Sequence, residues 1–394
     1  MITSVPLPTI AGLFGGFLNP TQTDQDLGAS WRQEGDTSIW FSRSAWSLSA
    51  IARWWSKCHN GECPVVWLPD YFCNESTGPL RETGAQIHFY PIDASLNPEW
   101  QKCQDQALEA PPDLFVLVHY FGRAGESSKA KSFCDKMGAL LVEDAAHVLR
   151  PTAEIGLHSD FTFYSPHKLL AIPEGGVLAI RNKNIALEME DVIAEMLTQA
   201  SDKFRKASFG NITAGRTSFP VIWIFKRLMQ IVLPLTIARR LSKQGNLNYL
   251  EDPSPTQFQE PPFLRDYGRR LITSDATSLD DVATHRKSNA RALRSIFENQ
   301  PDCRPLFSDQ EERDAPYRFV LRFDYDEHAQ KLFEKGQSHG FPVESWPDLP
   351  PEVSANSESH KVAGKLRRTL VLLPVHQTLN SAEIASICTL ADSP

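Results

Sequence analysis

The 394-residue chain has no excess of positive charge, no cysteine framework and no long uncharged apolar run. Forty basic residues against 48 acidic ones give a net charge of −8, and no dense Lys/Arg block stands out. The electrostatic footprint of a nucleic-acid binder is therefore missing, and nucleic acid is not an expected partner. Seven cysteines, an odd number scattered from Cys58 to Cys388, exclude a disulfide scaffold, and Cys58 and Cys63 lack the second pair a zinc site needs. A reducing cytoplasm is the expected location. The opening MITSVPLPTIAGLFGGFLNP carries no basic residue before its apolar stretch and is broken by prolines, so it does not read as a secretory signal. The most apolar segment, 219–241, is interrupted by Lys226, Arg227 and Pro234, and its longest charge-free run, Leu228 to Ala238, is well short of the ~20 residues that span a bilayer. No transmembrane segment is expected. That segment reads as a helix packed on its own protein or on a partner subunit, with contact to a membrane surface through its basic residues as the alternative.

What is present is an alternation. Between about residues 38 and 182, short apolar runs are separated by segments of helical composition, the pattern of βα units around a mostly parallel sheet. Residues 65–69, 87–92, 114–121 and 139–144 are expected strands, and 42–55 and 127–138 the intervening helices. A further strand at 177–181 is expected at a sheet edge or antiparallel. Residues 183–265 differ in character: helical, then apolar, then a loop rich in Pro, Gln and Asn. From Tyr267 onward a long amphipathic helix (279–299), strands at 317–324 and 369–375 and a closing helix at 381–392 suggest a small α+β domain, with loop chemistry at PPEVSANSESH. The division expected is a large α/β domain over 1–182, an insertion over 183–265 and a small C-terminal domain over 266–394.

An ordered trio lies in the first half: Val-Glu-Asp-Ala-Ala-His at 142–147, Ser-Pro-His-Lys at 165–168, and Glu-Gly-Gly at 174–176. Pyridoxal phosphate (PLP) chemistry needs a carboxylate beside the cofactor's ring nitrogen and a downstream lysine that forms a Schiff base with its aldehyde. Asp144 and Lys168 are the candidates. Ionised Asp144 would hold a proton on the ring nitrogen by direct charge stabilisation, each unit of pKa shift being worth ~1.4 kcal/mol. Lys168 would tether the cofactor and, while neutral, act as a base, which burial and nearby positive charge favour. Taken singly, a strand-end aspartate is more often a turn residue and a lysine more often a surface group. Order and spacing together single them out.

With these residues the chain resembles the DegT/DnrJ family of PLP-dependent sugar aminotransferases, of the aspartate aminotransferase fold (fold type I), over most of 38–182 and again from about 267. The family's EDxAQ or EDxAH motif corresponds to Glu143-Asp144-Ala145-Ala146-His147, its lysine to Lys168, and its acidic-Gly-Gly turn to Glu174-Gly175-Gly176. The resemblance implies an α/β large domain with a mostly parallel central sheet and a smaller C-terminal α+β domain. It implies that His147 contacts the cofactor ring oxygen, that the turn Ser42-Arg43-Ser44-Ala45 opens a helix whose amides hold the phosphate, and that Phe72 stacks on the ring. It implies that His119 and Tyr120 line the mouth of the site.

This chain departs from the family at two places. The serine five residues before the lysine is replaced by Phe163, leaving Ser165 as the nearest substitute. The Asn-x-Arg-Leu segment that reaches a neighbouring subunit's site has Gly268-Arg269-Arg270-Leu271 as its best match, so only Arg270 remains. By resemblance the chain is expected to be a cytoplasmic homodimer moving an amino group from glutamate to a keto-sugar nucleotide or related metabolite in polysaccharide or secondary-metabolite biosynthesis. Two other readings stay open: a sugar dehydratase using His167, which neighbours Lys168, and a non-catalytic aminotransferase-like protein that binds a ligand or partner.

Overall fold

The computed structural model describes residues 2–152, 154–208, 218–232, 249–250, 261–275, 279–307, 315–346 and 348–391, without the side chains of 201–208, 218–220, 232 and 274–275. Within 183–265, residues 209–217, 233–248 and 251–260 lie outside the described residues, and with them 233–241 of the apolar segment.

Two short helices, α1 (Ile10–Leu18) and α2 (Asp24–Leu27), precede β1 (Thr37–Phe41) and the long α3 (Ala45–Cys58). Then follow β2 (Val65–Pro69), α4 (Gly78–Arg81), β3 (Gln86–Tyr90), α5 (Trp100–Ala107), β4 (Leu114–Val118), α6 (Ser127–Met137), β5 (Leu140–Ala145), β6 (Phe161–Tyr164), α7 (Pro166–Leu169) and β7 (Gly176–Ile180). These strands form one sheet in the order β1-β7-β6-β5-β4-β2-β3. Strands β2 to β6 are mutually parallel, whereas β7 runs antiparallel to both β6 and β1. The strand expected at 177–181 is thus antiparallel but interior, because β1 covers what would have been its free edge. Neither β1 nor the four-residue β6 was expected; β6 is short, and β1, with Thr37 and Ser38 at its start, has no continuous apolar run.

The direction of the strands decides where a site can form. With β7 reversed, β1 runs the same way as β4, β5 and β6, so the carboxyl ends of all four and the start of β7 meet at one edge. Open α/β sheets bind ligands there. The interior strands are apolar on both faces, with every residue of β4 buried, as parallel strands covered by helices require. Helix α3 buries Trp46, Leu48, Ile51, Trp54 and Trp55, each contributing about 1.5–3 kcal/mol of transfer free energy.

Beyond β7, α8 (Lys183–Ser208) packs on α3, and α9 (Ser218–Val232) begins the apolar segment. In α9 Trp223 and Ile224 pack inward while Val221, Ile222 and Phe225 are exposed. No helix among the described residues is long and apolar enough to cross a membrane. Helix α10 (Asp266–Asp275) lies against α1, and its Tyr267, Leu271 and Ile272 share a buried cluster with Trp31 and Trp40.

Helix α11 (Leu279–Phe297), β8 (Cys303–Pro305), β9 (Phe319–Phe323), α12 (Asp326–Ser338), α13 (Pro351–Ala355), α14 (Lys361–Thr369), β10 (Leu370–Leu373) and α15 (Ser381–Cys388) complete the chain. Their strands form a separate antiparallel sheet, β10-β9-β8. The stretch expected as loop at 350–360 holds the short α13, started by Pro351 at a first-turn position where proline lacks no needed N–H.

Candidate active site

At the shared edge, one buried cleft is lined by residues from both ends of the chain, among them Ser44, Ala45, Phe72, Asp144, His147 and Lys168. Asp144 ends β5. Its carboxylate accepts the Ala146 N–H at 2.9 Å, and burial raises its pKa above the ordinary carboxylate range despite the opposing charge of Lys168. A cation arriving beside Asp144 would offset that burial penalty. Lys168 sits on α7, a single turn begun by Pro166, and its Nζ lies 3.2 Å from His147 Nε2.

The Glu-Gly-Gly turn is explained by close approach. A Cβ on Gly176 would lie 2.2 Å from the Ser44 backbone nitrogen, and Gly175 has φ of +147°. Only glycine lets β7 start against the N-terminus of α3. Glu174 is buried and ion-paired with Arg265, whose backbone N–H also donates to it at 2.9 Å. It ties the turn to the segment re-entering at 261–265.

Ser44 Oγ and Ser165 Oγ share a 2.5 Å hydrogen bond, so the serine on α7's threshold reaches the mouth of α3 although Phe163, now part of the cleft wall, occupies the earlier position. Arg43 does not line the cleft; its guanidinium donates to the Pro173 carbonyl at 3.0 Å. His119 and Tyr120 line the cleft, and the Tyr120 hydroxyl and His119 Nδ1 are hydrogen-bonded within the protein. The Tyr120 hydroxyl donates to the Tyr71 carbonyl at 2.8 Å. His119 Nδ1 accepts the Gly125 N–H at 2.9 Å, and its Nε2 lies 3.4 Å from the buried Glu143 carboxylate. Burial raises the pKa of Glu143, but His119 and the Gly156 N–H outweigh it and hold it below its ordinary value.

Two residues fall elsewhere. Arg270 is not brought to the cleft of its own chain: α10 packs on α1, and the guanidinium donates to the Phe17 carbonyl at 2.9 Å. His167 points away, its Nδ1 directed at the Gly175 carbonyl at 2.9 Å, so Lys168 is the residue of this pair that faces the cleft. Sequence reasoning missed Trp346, Cys73 and Ser76, which also line it. Trp346 stands edge-on to His147 at 5.9 Å and 84°. It comes from an irregular loop with no periodicity or motif to mark it.

The donor set fits PLP: a buried carboxylate, an amine, an aromatic ring and a helix N-terminus converge on one cleft. No cluster of metal-ligating side chains occurs among the described residues.

Comparison with known proteins agrees. The structure of Helicobacter pylori PseC, an aminotransferase involved in the biosynthesis of pseudoaminic acid, matches 99% of this chain and 98% of its own at a TM-score of 0.68 and 12% identity. DesI, solved in the presence of its TDP-sugar product, matches 99% of this chain and 91% of its own at 0.69 and 13%. The architecture is that of the fold type I PLP transferases. Among curated sequences, a serine hydroxymethyltransferase from Lactobacillus gasseri is 27% identical over 117 residues, covering 27% of this chain; the match spans 28% of that relative's length. Residues 75–213 match the model of the DegT/DnrJ/EryC1/StrS aminotransferase family. Over those residues the chain is similar to that family.

Proposed function

We propose that this chain is a PLP-dependent sugar aminotransferase that takes an amino group from glutamate and delivers it to the keto group of a sugar nucleotide or related metabolite, working in the cytoplasm as a homodimer. The observation that carries this reading is the convergence of Asp144, from the end of β5, and Lys168, from α7, on one buried cleft beside the N-terminus of α3. Support for a sugar substrate comes from the matched family model, from the part PseC plays in pseudoaminic acid biosynthesis and from the TDP-sugar product of DesI.

The cofactor, when bound, supplies a conjugated ring that draws off the electron pair released at the substrate's amino carbon. The chain does the rest. Asp144 would keep a proton on the ring nitrogen through its negative charge. Lys168 would anchor the cofactor covalently and, as the free amine, would take up on Nζ the proton lost from the donor's amino carbon. The amides opening α3, with Ser44 and Ser165, would receive the phosphate, and the Phe72 side chain would offer the ring an apolar wall. With the Tyr120 hydroxyl and His119 Nδ1 hydrogen-bonded internally, these two side chains shape the cleft wall.

The test is an absorption spectrum of the purified protein with PLP, followed by borohydride reduction and peptide mass analysis, with Lys168→Ala in parallel. A borohydride-sensitive band and a label on the Lys168 peptide, both missing in the variant, are expected, as is conversion of the cofactor to its amine form by glutamate. An unlabelled parent chain defeats the proposal.

A further inference from the structure

The hydrogen bonding around His147 assigns it a definite protonation form. Phe121 has φ of 58°, the left-handed region that side chains rarely occupy. That conformation aims its backbone N–H at His147 Nδ1, 3.3 Å away. An amide N–H only donates, so Nδ1 is the acceptor, and the single hydrogen of a neutral imidazole is left on Nε2. Nε2 is the atom 3.2 Å from Lys168 Nζ.

The ring cannot turn to escape this arrangement. Tyr317 stacks on it at 4.3 Å and 6°, Phe121 packs on it at 5.9 Å and 16°, and Trp346 meets its edge. Phe121 closes the loop by accepting the Tyr317 N–H on its carbonyl at 2.9 Å. The next residue, Gly122, leaves no room for a side chain: a Cβ there would lie 2.9 Å from the His147 carbonyl oxygen. Behind Tyr317 stands the Arg318 guanidinium, 4.2 Å from the ring centroid and ion-paired with Glu344 at 2.7 Å. Burial first, then the charges of Lys168 and Arg318, hold the His147 pKa well below its ordinary value.

We propose that His147 is a fixed, uncharged hydrogen-bond donor whose Nε2–H is aimed at Lys168, and that the Phe121 amide and the Tyr317–Arg318 stack are the positioning groups that set it. A donor at that position finds its partner in a lone pair. An occupant of the cleft must therefore offer Nε2 an acceptor. The inference deepens the proposed function, resting on Lys168 as the cofactor-bearing amine. The charged and titratable groups around His147 are Lys168 within the cleft, Asp144 three residues upstream on β5, and Tyr317 with the Arg318–Glu344 pair on the far side.

The test begins on cofactor-free protein carrying ¹⁵N-histidine, with the His147 ring signals assigned by their loss in His147→Gln. The expected result is the neutral Nε2–H pattern, unchanged over the range of about pH 5 to 8 in which an ordinary histidine titrates. An Nδ1–H pattern or an imidazolium overturns the proposal. A second readout is the rate of PLP attachment to Lys168 against pH, followed by borohydride trapping. Tyr317→Ala and His147→Phe are expected to slow attachment about tenfold near neutrality, the loss of one held hydrogen-bond donor. Tyr317→Phe, which keeps the ring, and His147→Gln, whose amide donates, are expected to recover the parent's profile. Identical profiles in all variants overturn the assignment. If PLP never attaches to the parent, the proposed function fails, while the nitrogen spectrum still decides the state of His147.

Discussion

Acidification should unfold this protein partly through one buried ring, His376. It is 1% exposed, three residues beyond the end of β10. Its Nε2 donates to the Thr3 carbonyl at 2.7 Å, and its Nδ1 accepts from the Thr378 hydroxyl at 3.0 Å, so the neutral imidazole is fully used and stitches the N-terminal segment to the C-terminal sheet. Burial outweighs the Thr3 bond and pushes its pKa from 6.5 to about 3. Between those values the unfolded chain binds a proton that the folded chain refuses. Stability is therefore complete above the unfolded value and is lost as pH falls. At about pH 5 the loss from this group is roughly 2 kcal/mol, from 1.5 units at ~1.4 kcal/mol each. Urea unfolding of the full chain at about pH 7.5 and about pH 5 measures it, comparing the parent with His376→Gln, which has no group to protonate there. The variant starts less stable, having lost a hydrogen-bond partner, but the parent should lose roughly 2 kcal/mol more on acidification than the variant does. Equal losses in the two proteins would refute the argument.

Asp144→Asn should still become labelled at Lys168 after borohydride, yet convert its cofactor with glutamate at least ~100-fold more slowly, because an amide cannot hold a proton on the ring nitrogen; stopped-flow spectra report the rate. Gly176→Ala would place a methyl 2.2 Å from the Ser44 nitrogen and should force β7 away from α3, weakening PLP retention at least ~10-fold in equilibrium dialysis. Trp31→Phe removes the indole donor to the Leu149 carbonyl at 2.9 Å from a fully buried site and should cost about 2–4 kcal/mol in urea unfolding, adding an unsatisfied carbonyl to a small cavity.

The division between sequence and structure runs through particular residues. The apolar runs at 65–69, 114–118 and 140–142 lie in strands because buried parallel strands must be apolar on both faces, and that pattern is local. The order of Asp144, Lys168 and the Gly175-Gly176 pair was legible because it lies along one polypeptide, whereas the close approach that requires glycine there was not. The interior place of β7 was not, since nothing in its own residues announces that β1 returns to pair with it.

The amino-acid sequence by itself determined the α/β alternation, the acid–lysine–glycine order and the absence of a membrane-length apolar run. Only the tertiary structure decided what surrounds those groups. Trp346 and Tyr317 come to His147 from about 170 residues or more away in the chain, and no local periodicity encodes such a meeting. Hydrogen bonding likewise decided that the Tyr120 hydroxyl and His119 Nδ1 turn inward. A buried polar atom must find a partner, and which partner it finds depends on the packing of distant segments.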